Sequence, residues 1–578
     1  MNDTLSLRLL PRKAQFRPGE AVRILVELPD ADDGEEGASE CIRFRWQVQA
    51  WDRIVLQGVG ALAREEEGEP IRAEISLPGF AGSGAYGVFA QTEGIAPIAG
   101  ETAFDVAAHW REAPRYGFLS DFAPGDRDSA DADFLLRCHL NVVQFYDWMY
   151  RHDRLLTDED PFTDPLGRTI SFAAVRGKIA ALQERGIASL AYAAVYASLP
   201  DYASEHPEQL LYRNDGTPYS LGNYFFIMDI SPGSAWTERV TDEFRSAVEW
   251  GFDGLHLDQY GFPKRALRKT EDGGFEAVRL RDLYPALINR TREKLSEAGL
   301  IFNNVGTYPV HATAEASQDA VYIEVWDPVT RLQDLYALVR RTRALTRKPI
   351  ILAAYLPAFH PEHPADPEQA ETGALFAMAA ICASGAYHLL LGENGGVLAD
   401  PYYPKYGQAS PAFRERLIRH ADFIVMYRDL LFDPAMDDWT EAFTGGINNE
   451  LTFAAADGHI RFSTEARTGT VWTIAKEKPD AYVIHLVNLV GLDNDDWHAP
   501  KASRPKSLGG IEATVEVVEE IEGIYAASPD GESIAPIPLG WEWVRKGEDG
   551  GRFARFTLPR LDVWTVVFIR LRAGSAAS

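Results

Sequence analysis

Between residues 116 and 390 the chain repeats one rhythm: a short apolar run with a polar or aromatic end, a loop, then a helical pattern. Eight such runs can be counted: "YGFLSDF" from 116, "NVVQFYDW" from 141, "ASLAYAAVYA" from 188, "GLHLDQYG" from 254, "IFNNVG" from 301, "AVYIEVW" from 320, "PIILAAYL" from 349 and "YHLLLGENG" from 387. Short apolar runs separated by helix-length segments are the pattern of parallel strands joined by crossover helices. The intervening segments carry helix signals. "FAAVRGKIAALQERG" sets Val175, Ile179 and Leu182 on one face and stops at Gly186, and "SAWTERVTDEFRSAVEWG" opens on Ser234, a capping residue, and stops at Gly251. "LRDLYPALINRTREKL" and "AETGALFAMAAICASG" supply further helices. Eight repeats over about 320 residues favour a (β/α)8 barrel over a doubly wound open sheet.

The flanks read differently. Before residue 109 come alternating runs such as "AVRILVELP", "CIRFRWQVQAW" and "RIVLQGVGAL", with no amphipathic helix between them. After 430 the helices stop and runs such as "GTVWTIAKEK", "AYVIHLVNLVG" and "RFARFTLPRLDVWTVVFIRL" alternate between turns. The expected fold class is therefore multidomain: an N-terminal immunoglobulin-like β-sandwich over 1–108, a TIM barrel over 109–430, and a C-terminal antiparallel β-sandwich over 431–578.

Several functions are disfavoured at once. A formal charge of −28 argues against sequence-independent binding of nucleic acid. Three scattered cysteines, Cys41, Cys138 and Cys382, exclude a disulfide framework and a CxxC metal site. "GALFAMAAICASGAYHLLLG" from Gly373 is about long enough to cross a bilayer, but Ser384, Gly385, Tyr387 and His388 mark a helix handing over to a strand inside a barrel. No membrane partner is expected. The N-terminal "MNDTLSLRLLPRKAQ" lacks the apolar core of a secretion signal, so a cytoplasmic location is expected. There is no Gly-x-Ser-x-Gly elbow and no P-loop, and "GVGALA" at Gly58 and Gly60 falls in a β-only region.

Barrel active sites gather at the C-terminal ends of the strands. The polar and aromatic residues there are Asp121; Gln144, Tyr146, Asp147 and Trp148; Tyr192 and Tyr196; Asp258; Asn304; Glu324 and Trp326; and Glu393. Carboxylates beside aromatic rings suit acetal chemistry on a sugar, since carboxyls supply acid, base or nucleophile and ring faces stack on pyranoses. In "GFDGLHLDQYG", Asp253 precedes the strand and reads as a turn-closing residue, whereas Asp258 ends it. A buried charge there is costly without a partner or a task. Glu324, flanked by Val321, Ile323 and Val325, sits where apolar surroundings raise a carboxyl pKa, as a general acid requires. Asp147 can either serve the site or pair with Arg151 four residues on. His256 and Asp258 share a strand face, but no second histidine cluster completes a metal site. Neither metal nor cofactor is expected, although the loop "GLDNDDW" is acidic enough to attract calcium.

"RYGFLSDF", "QFYDWMYRHD", "AYAAVYAS", "GFDGLHLDQYG", "YIEVWD", "HLLLGENG" and "VWTIAKEK…YVIHLVNLVG" resemble, in this order, motifs of glycoside hydrolase family 66, which contains dextranases and cycloisomaltooligosaccharide glucanotransferases. The resemblance implies a retaining mechanism on α-1,6-linked glucan (dextran or isomaltooligosaccharide), with Asp258 as nucleophile, Glu324 as general acid/base and Asp147 at the sugar site. It also makes Gln144, Tyr146, Trp148, Tyr192, Trp326 and Glu393 candidates for substrate contact. Three places depart from the family pattern: Leu255, His256 and Leu257 before Asp258, Ala193 after Tyr192, and Glu393 where an aspartate is usual. The stretch after Gly392 leaves no room for the carbohydrate-binding module of cyclising members, which favours hydrolysis. Alternatives are a glycosidase or transglycosylase of other α-glucan specificity and a non-catalytic glucan-binding barrel.

Overall fold

The computed structural model describes residues 6–29, 41–64, 70–94, 97–126, 129–400, 405–455, 458–546 and 551–572. All eight expected strands form: β1 Tyr116–Leu119, β2 Val142–Phe145, β3 Ala188–Ala194, β4 Gly254–Asp258, β5 Gly299–Val305, β6 Ala320–Glu324, β7 Ile350–Ala353 and β8 Tyr387–Leu389. They pair in parallel, each with its sequence neighbours, in one eight-stranded sheet. The two end strands, β1 and β8, approach each other and bring the sheet close to a closed barrel. A helix follows every strand: α1 Ala130–Arg137, α2 Phe172–Glu184, α3 Ala235–Trp250, α4 Leu280–Lys294, the single turn α5 Val310–Thr313, α6 Leu332–Arg343, α7 Pro367–Ser384 and α8 Pro411–Met426.

Local chemistry sets these boundaries. Ser234 Oγ accepts from Thr237 N at 3.1 Å and Ser410 Oγ from Phe413 N at 3.1 Å, which satisfies helix-start amides that have no partner within the helix. The apolar window is explained by burial on two sides. α7 is covered from Ala370 to Ser384, between the barrel strands and the C-terminal sheet, and Gly385 ends it with φ +97°. No described helix is long and apolar enough to cross a membrane.

Before the barrel, one sheet holds Arg8–Pro11, Val22–Leu28 and Ile71–Leu77, and a second holds Ile42–Ala50, Arg53–Leu62, Gly84–Thr92 and Ala99–Val106. They enclose a separate apolar cluster around Val22, Ile24, Phe44, Val48 and Phe104. After the barrel come a seven-stranded and a four-stranded sheet. The larger one splits its faces: Trp472, Ile474, Val483 and Trp564 pack with the barrel, while Val471, Ile484, Leu486 and Val567 join a core with the smaller sheet. The expectation that helices stop after 430 needs one amendment, a helical turn at Thr440–Phe443.

The underside of the barrel is tied to the N-terminal sheets by ions. Asp105, fully buried, accepts from Arg115 Nη2 at 2.9 Å and from Arg428 Nη1 at 2.8 Å. Burial alone would raise its pKa, but the two guanidinium charges outweigh it and hold the carboxyl below the usual range.

Candidate active site

The mouth is built on three adjacent strands, β4, β5 and β6. Along β4, Leu255 and Leu257 are fully buried, while His256 and Asp258 take the other face, into the barrel. Asp253 lies outside the mouth: its Oδ2 accepts from Ser189 N at 2.8 Å and Ser189 Oγ at 2.9 Å, locking the start of β3 to the entry of β4. The glycine that follows is required, because a Cβ on Gly254 would stand 2.3 Å from Gly299 O on β5.

Asp258 sits at the floor of the mouth, partly exposed. Its Oδ2 accepts from Tyr192 Oη at 2.7 Å and its Oδ1 from Asn303 Nδ2 at 2.8 Å. The same nitrogen of Asn303 lies 3.3 Å from Glu324 Oε2, so one amide on β5 bridges the two carboxyls. Two contacts of 2.8 and 3.3 Å to one atom keep those carboxylate oxygens within about 6 Å of each other.

The electrostatics separate the pair. Burial pushes Asp258 up to about 6, against the pull of Tyr192 and Asn303. Burial pushes Glu324 up to about 7, with the Asp258 charge adding to the shift and donors on Trp326, Asn303 and Tyr355 opposing it. Glu324 is thus the more readily protonated of the two.

Asp147 follows β2 in the left-handed region, φ +49°, and is buried. Its partner is Arg168, whose Nη2 is 3.5 Å from Asp147 Oδ2 and donates to Asp147 O at 3.0 Å. The alternative pairing with Arg151 is not formed: that side chain binds Asp153 and Asp201. Burial raises Asp147 to about 7 although Arg168 opposes it, and the charges of Asp164 and Asp258 contribute. Tyr146 packs edge-on against Tyr192, with ring centroids 4.7 Å apart, on the wall between Asp147 and Asp258. Trp326 is half-buried beside Glu324. Gln144 faces inward two residues before Tyr146, buried, with its amide oxygen unpartnered among the described residues.

Other expected residues go elsewhere. Trp148 does not reach the mouth: it is fully buried behind the barrel wall against Phe172, Trp250 and Phe252, and its Nε1 donates to Tyr192 O. Ring size and apolarity put it in the strand–helix layer, which corrects its assignment as a sugar contact. Glu393 has one carboxylate oxygen tied to the backbone amides of Ser120 and Asp121, so it joins the loops after β8 and β1. Asp121 itself is exposed and closes a turn onto Ala123 N. Tyr196 Oη donates to Phe262 O and accepts from Tyr260 N, shaping the loop after β4. Asn304 points outward, accepting from Thr313 Oγ1 at 2.6 Å on α5; its neighbour Asn303 is the one in the mouth. The signal for Asn303 was strand parity, since in register it stands beside the inward-facing Tyr322. Tyr260 and Tyr355, which no sequence pattern marks, also lie within reach of the carboxylate charges.

His256, one of the departures next to Asp258, is a core residue. Its Nδ1 is 2.7 Å from Tyr116 Oη, its ring lies parallel to Tyr192 and edge-on to Tyr322, and burial lowers its pKa to about 3. Neutral and enclosed, it forms the layer beneath Asp258. Among the described residues no group of three His, Cys, Asp or Glu is arranged to hold a metal ion.

The sequence matches glycosyl hydrolase family 66 over residues 11–568. Two cycloisomaltooligosaccharide glucanotransferases of Niallia circulans are each 23% identical, aligned over 82% and 97% of this chain. The chain spans 63% of the length of the first and 71% of the second. The fold is that of a solved Paenibacillus sp. cycloisomaltooligosaccharide glucanotransferase complexed with cycloisomaltoheptaose, at TM-score 0.85 and 20% identity over 97% of this chain and 99% of that one.

Proposed function

The chain belongs to glycosyl hydrolase family 66, and from that premise we propose that it is a retaining glycosidase acting on α-1,6-linked glucan. The observation that carries this reading is the Asn303 amide that bridges Asp258 and Glu324. Two-step glycosidases hold their carboxyls about 5–5.5 Å apart, whereas inverting enzymes need a wider gap for a water molecule. An amide shared by the two carboxyls favours the closer spacing.

In the first step an Asp258 oxygen attacks the anomeric carbon as the bond to the leaving glycosidic oxygen breaks. Glu324 gives its proton to that oxygen, and a glucosyl ester forms on Asp258. Tyr192 and Asn303 hold the attacking carboxylate by one oxygen each, which fixes its orientation. In the second step Glu324, now ionised, takes a proton from water, the water oxygen attacks the anomeric carbon, and the ester opens with the original configuration restored. Asp147, Tyr146 and Trp326 line the sugar site, Gln144 supports it from below, and Trp148 acts only through the wall.

Transfer is the second reading: a glucan hydroxyl replaces water in the second step, as the names of the relatives suggest. One experiment addresses both. Proton NMR of the first product from isomaltotriose or dextran should show the α-anomer, and a β-anomer would sink the retaining assignment. Mass analysis of the same digest separates the readings, since shorter linear chains mean hydrolysis and cyclic or longer chains mean transfer.

A further inference from the structure

One loop of the C-terminal β-region, between strands Ala481–Asn488 and Leu508–Glu516, leaves its own sheets and lies along the barrel. It reaches the connection between β6 and α6, the segment that follows Glu324. Trp497 N donates to Thr330 O at 3.0 Å, Trp497 Nε1 to Val329 O at 2.8 Å, and Leu332 N returns a bond to Asp495 O at 2.9 Å. Farther on, Lys501 N donates to Gln369 O at 3.0 Å on α7.

The loop is stiffened from within. Lys501 is fully buried, and its ammonium donates to Asn494 Oδ1 and Asp496 O, each at 2.5 Å. The acidic run "GLDNDDW" thus closes around a positive charge supplied by the chain itself. Trp497 is also buried, so both anchors are fixed by packing.

The segment held by this strap carries Trp326. Val329 N donates to Trp326 O at 3.1 Å, closing a turn over 326–329 whose outer carbonyl, Val329 O, is the acceptor for Trp497. Pulling that turn away from the barrel moves Trp326 away from Glu324. We infer that Trp497 and Lys501 are positioning residues for the acid/base: the C-terminal region sets where Trp326 stands against the Glu324 carboxyl. The inference rests on the role of Glu324 proposed above. Trp326 where it stands favours the ionised form of Glu324, so with Trp326 displaced the proton should be held to higher pH.

The test uses the full chain with Trp497→Phe and, separately, Lys501→Met. Tyr336→Phe serves as the control, because it removes a bond from α6 to Asp438 in the same interface without touching the turn. Two readouts are needed: the pH profile of kcat, and the titration of the isotope-labelled Glu324 carboxyl, identified by its absence in Glu324→Gln. The strap variants should lose about ten- to a hundredfold in kcat, with at most the several-fold rise in KM expected for a displaced Trp326. Their alkaline limb and the Glu324 titration should move up together, while the control keeps both. If the titration and kcat stay put in Trp497→Phe while only its Tm falls, the strap is a structural tie and the inference is overturned. Should Lys501→Met fail to fold, Trp497→Phe decides alone. A parent protein that neither hydrolyses nor transfers α-glucan would sink the proposed function instead, and the carboxyl titration would still judge the strap.

Discussion

The molecule buries carboxylates at both ends of its barrel and treats them in opposite ways. Beneath the barrel, Asp105 is fully enclosed and meets two arginines, so its charge is stabilised. At the mouth, burial leaves Asp147, Asp258 and Glu324 all harder to ionise, and among the described residues an arginine, Arg168, opposes the shift at Asp147 alone. Burial alone therefore does not decide whether a carboxylate holds its charge or its proton; the partners do. The paired cluster holds regions together, and the under-compensated one keeps protons available near neutral pH.

Neutralising each end should have opposite effects. Asp258→Ala should lose all measurable turnover on isomaltooligosaccharide and recover part of it with added azide; unchanged activity would remove the nucleophile. Glu324→Gln should cost about a hundred- to ten-thousandfold in kcat on natural glucan, and far less when the leaving group needs no proton. Asp105→Asn should reverse the pattern. It strands two buried guanidinium groups and should lower unfolding free energy by about 3–5 kcal/mol, read by denaturant titration, while the folded fraction keeps its kcat.

The two ends should also respond oppositely to pH. Asp105 has a lowered pKa, so its stabilisation is present above the unfolded value and is lost as pH falls through the folded one. Glu324 has a raised pKa, so stability falls as pH rises from the unfolded value toward about 7. Glu324→Gln should accordingly raise Tm at pH 8 more than at pH 5, and a loss at pH 8 would contradict the electrostatic account. In the parent, kcat/KM should rise through about 6 as Asp258 ionises and fall through about 7 as Glu324 loses its proton. The smallest effect separates wall from rim: Trp326→Phe should raise KM several-fold, whereas Trp148→Phe should change Tm and leave KM alone.

The barrel was legible because each strand is a buried apolar run bounded by turn residues and each helix carries its own caps. The place of Asp258 and Glu324 at the mouth was legible for a related reason: a carboxylate closing an apolar run is costly without a partner or a task. What the sequence hid is which way a side chain points once a run ends. Asn303 and Asn304 are adjacent and chemically identical, and only the register against β6 sends one inward. Trp148 follows Asp147 directly, yet the left-handed backbone at Asp147 turns the chain so that the tryptophan lands behind the wall. Glu393 has one carboxylate oxygen on amides of a loop more than 270 residues earlier, a tie that no local pattern announces.

The account rests on Asp258 becoming covalently glucosylated while Glu324 moves the proton, and trapping that ester tests it most directly. Glu324→Gln given an activated fluoro-glucosyl donor should form the ester quickly and hydrolyse it slowly. Peptide mass analysis should then find one glucosyl unit on the peptide containing Asp258 and none on that peptide from Asp258→Asn. A label on another residue, or turnover of the donor with no ester at any quench time, would contradict it.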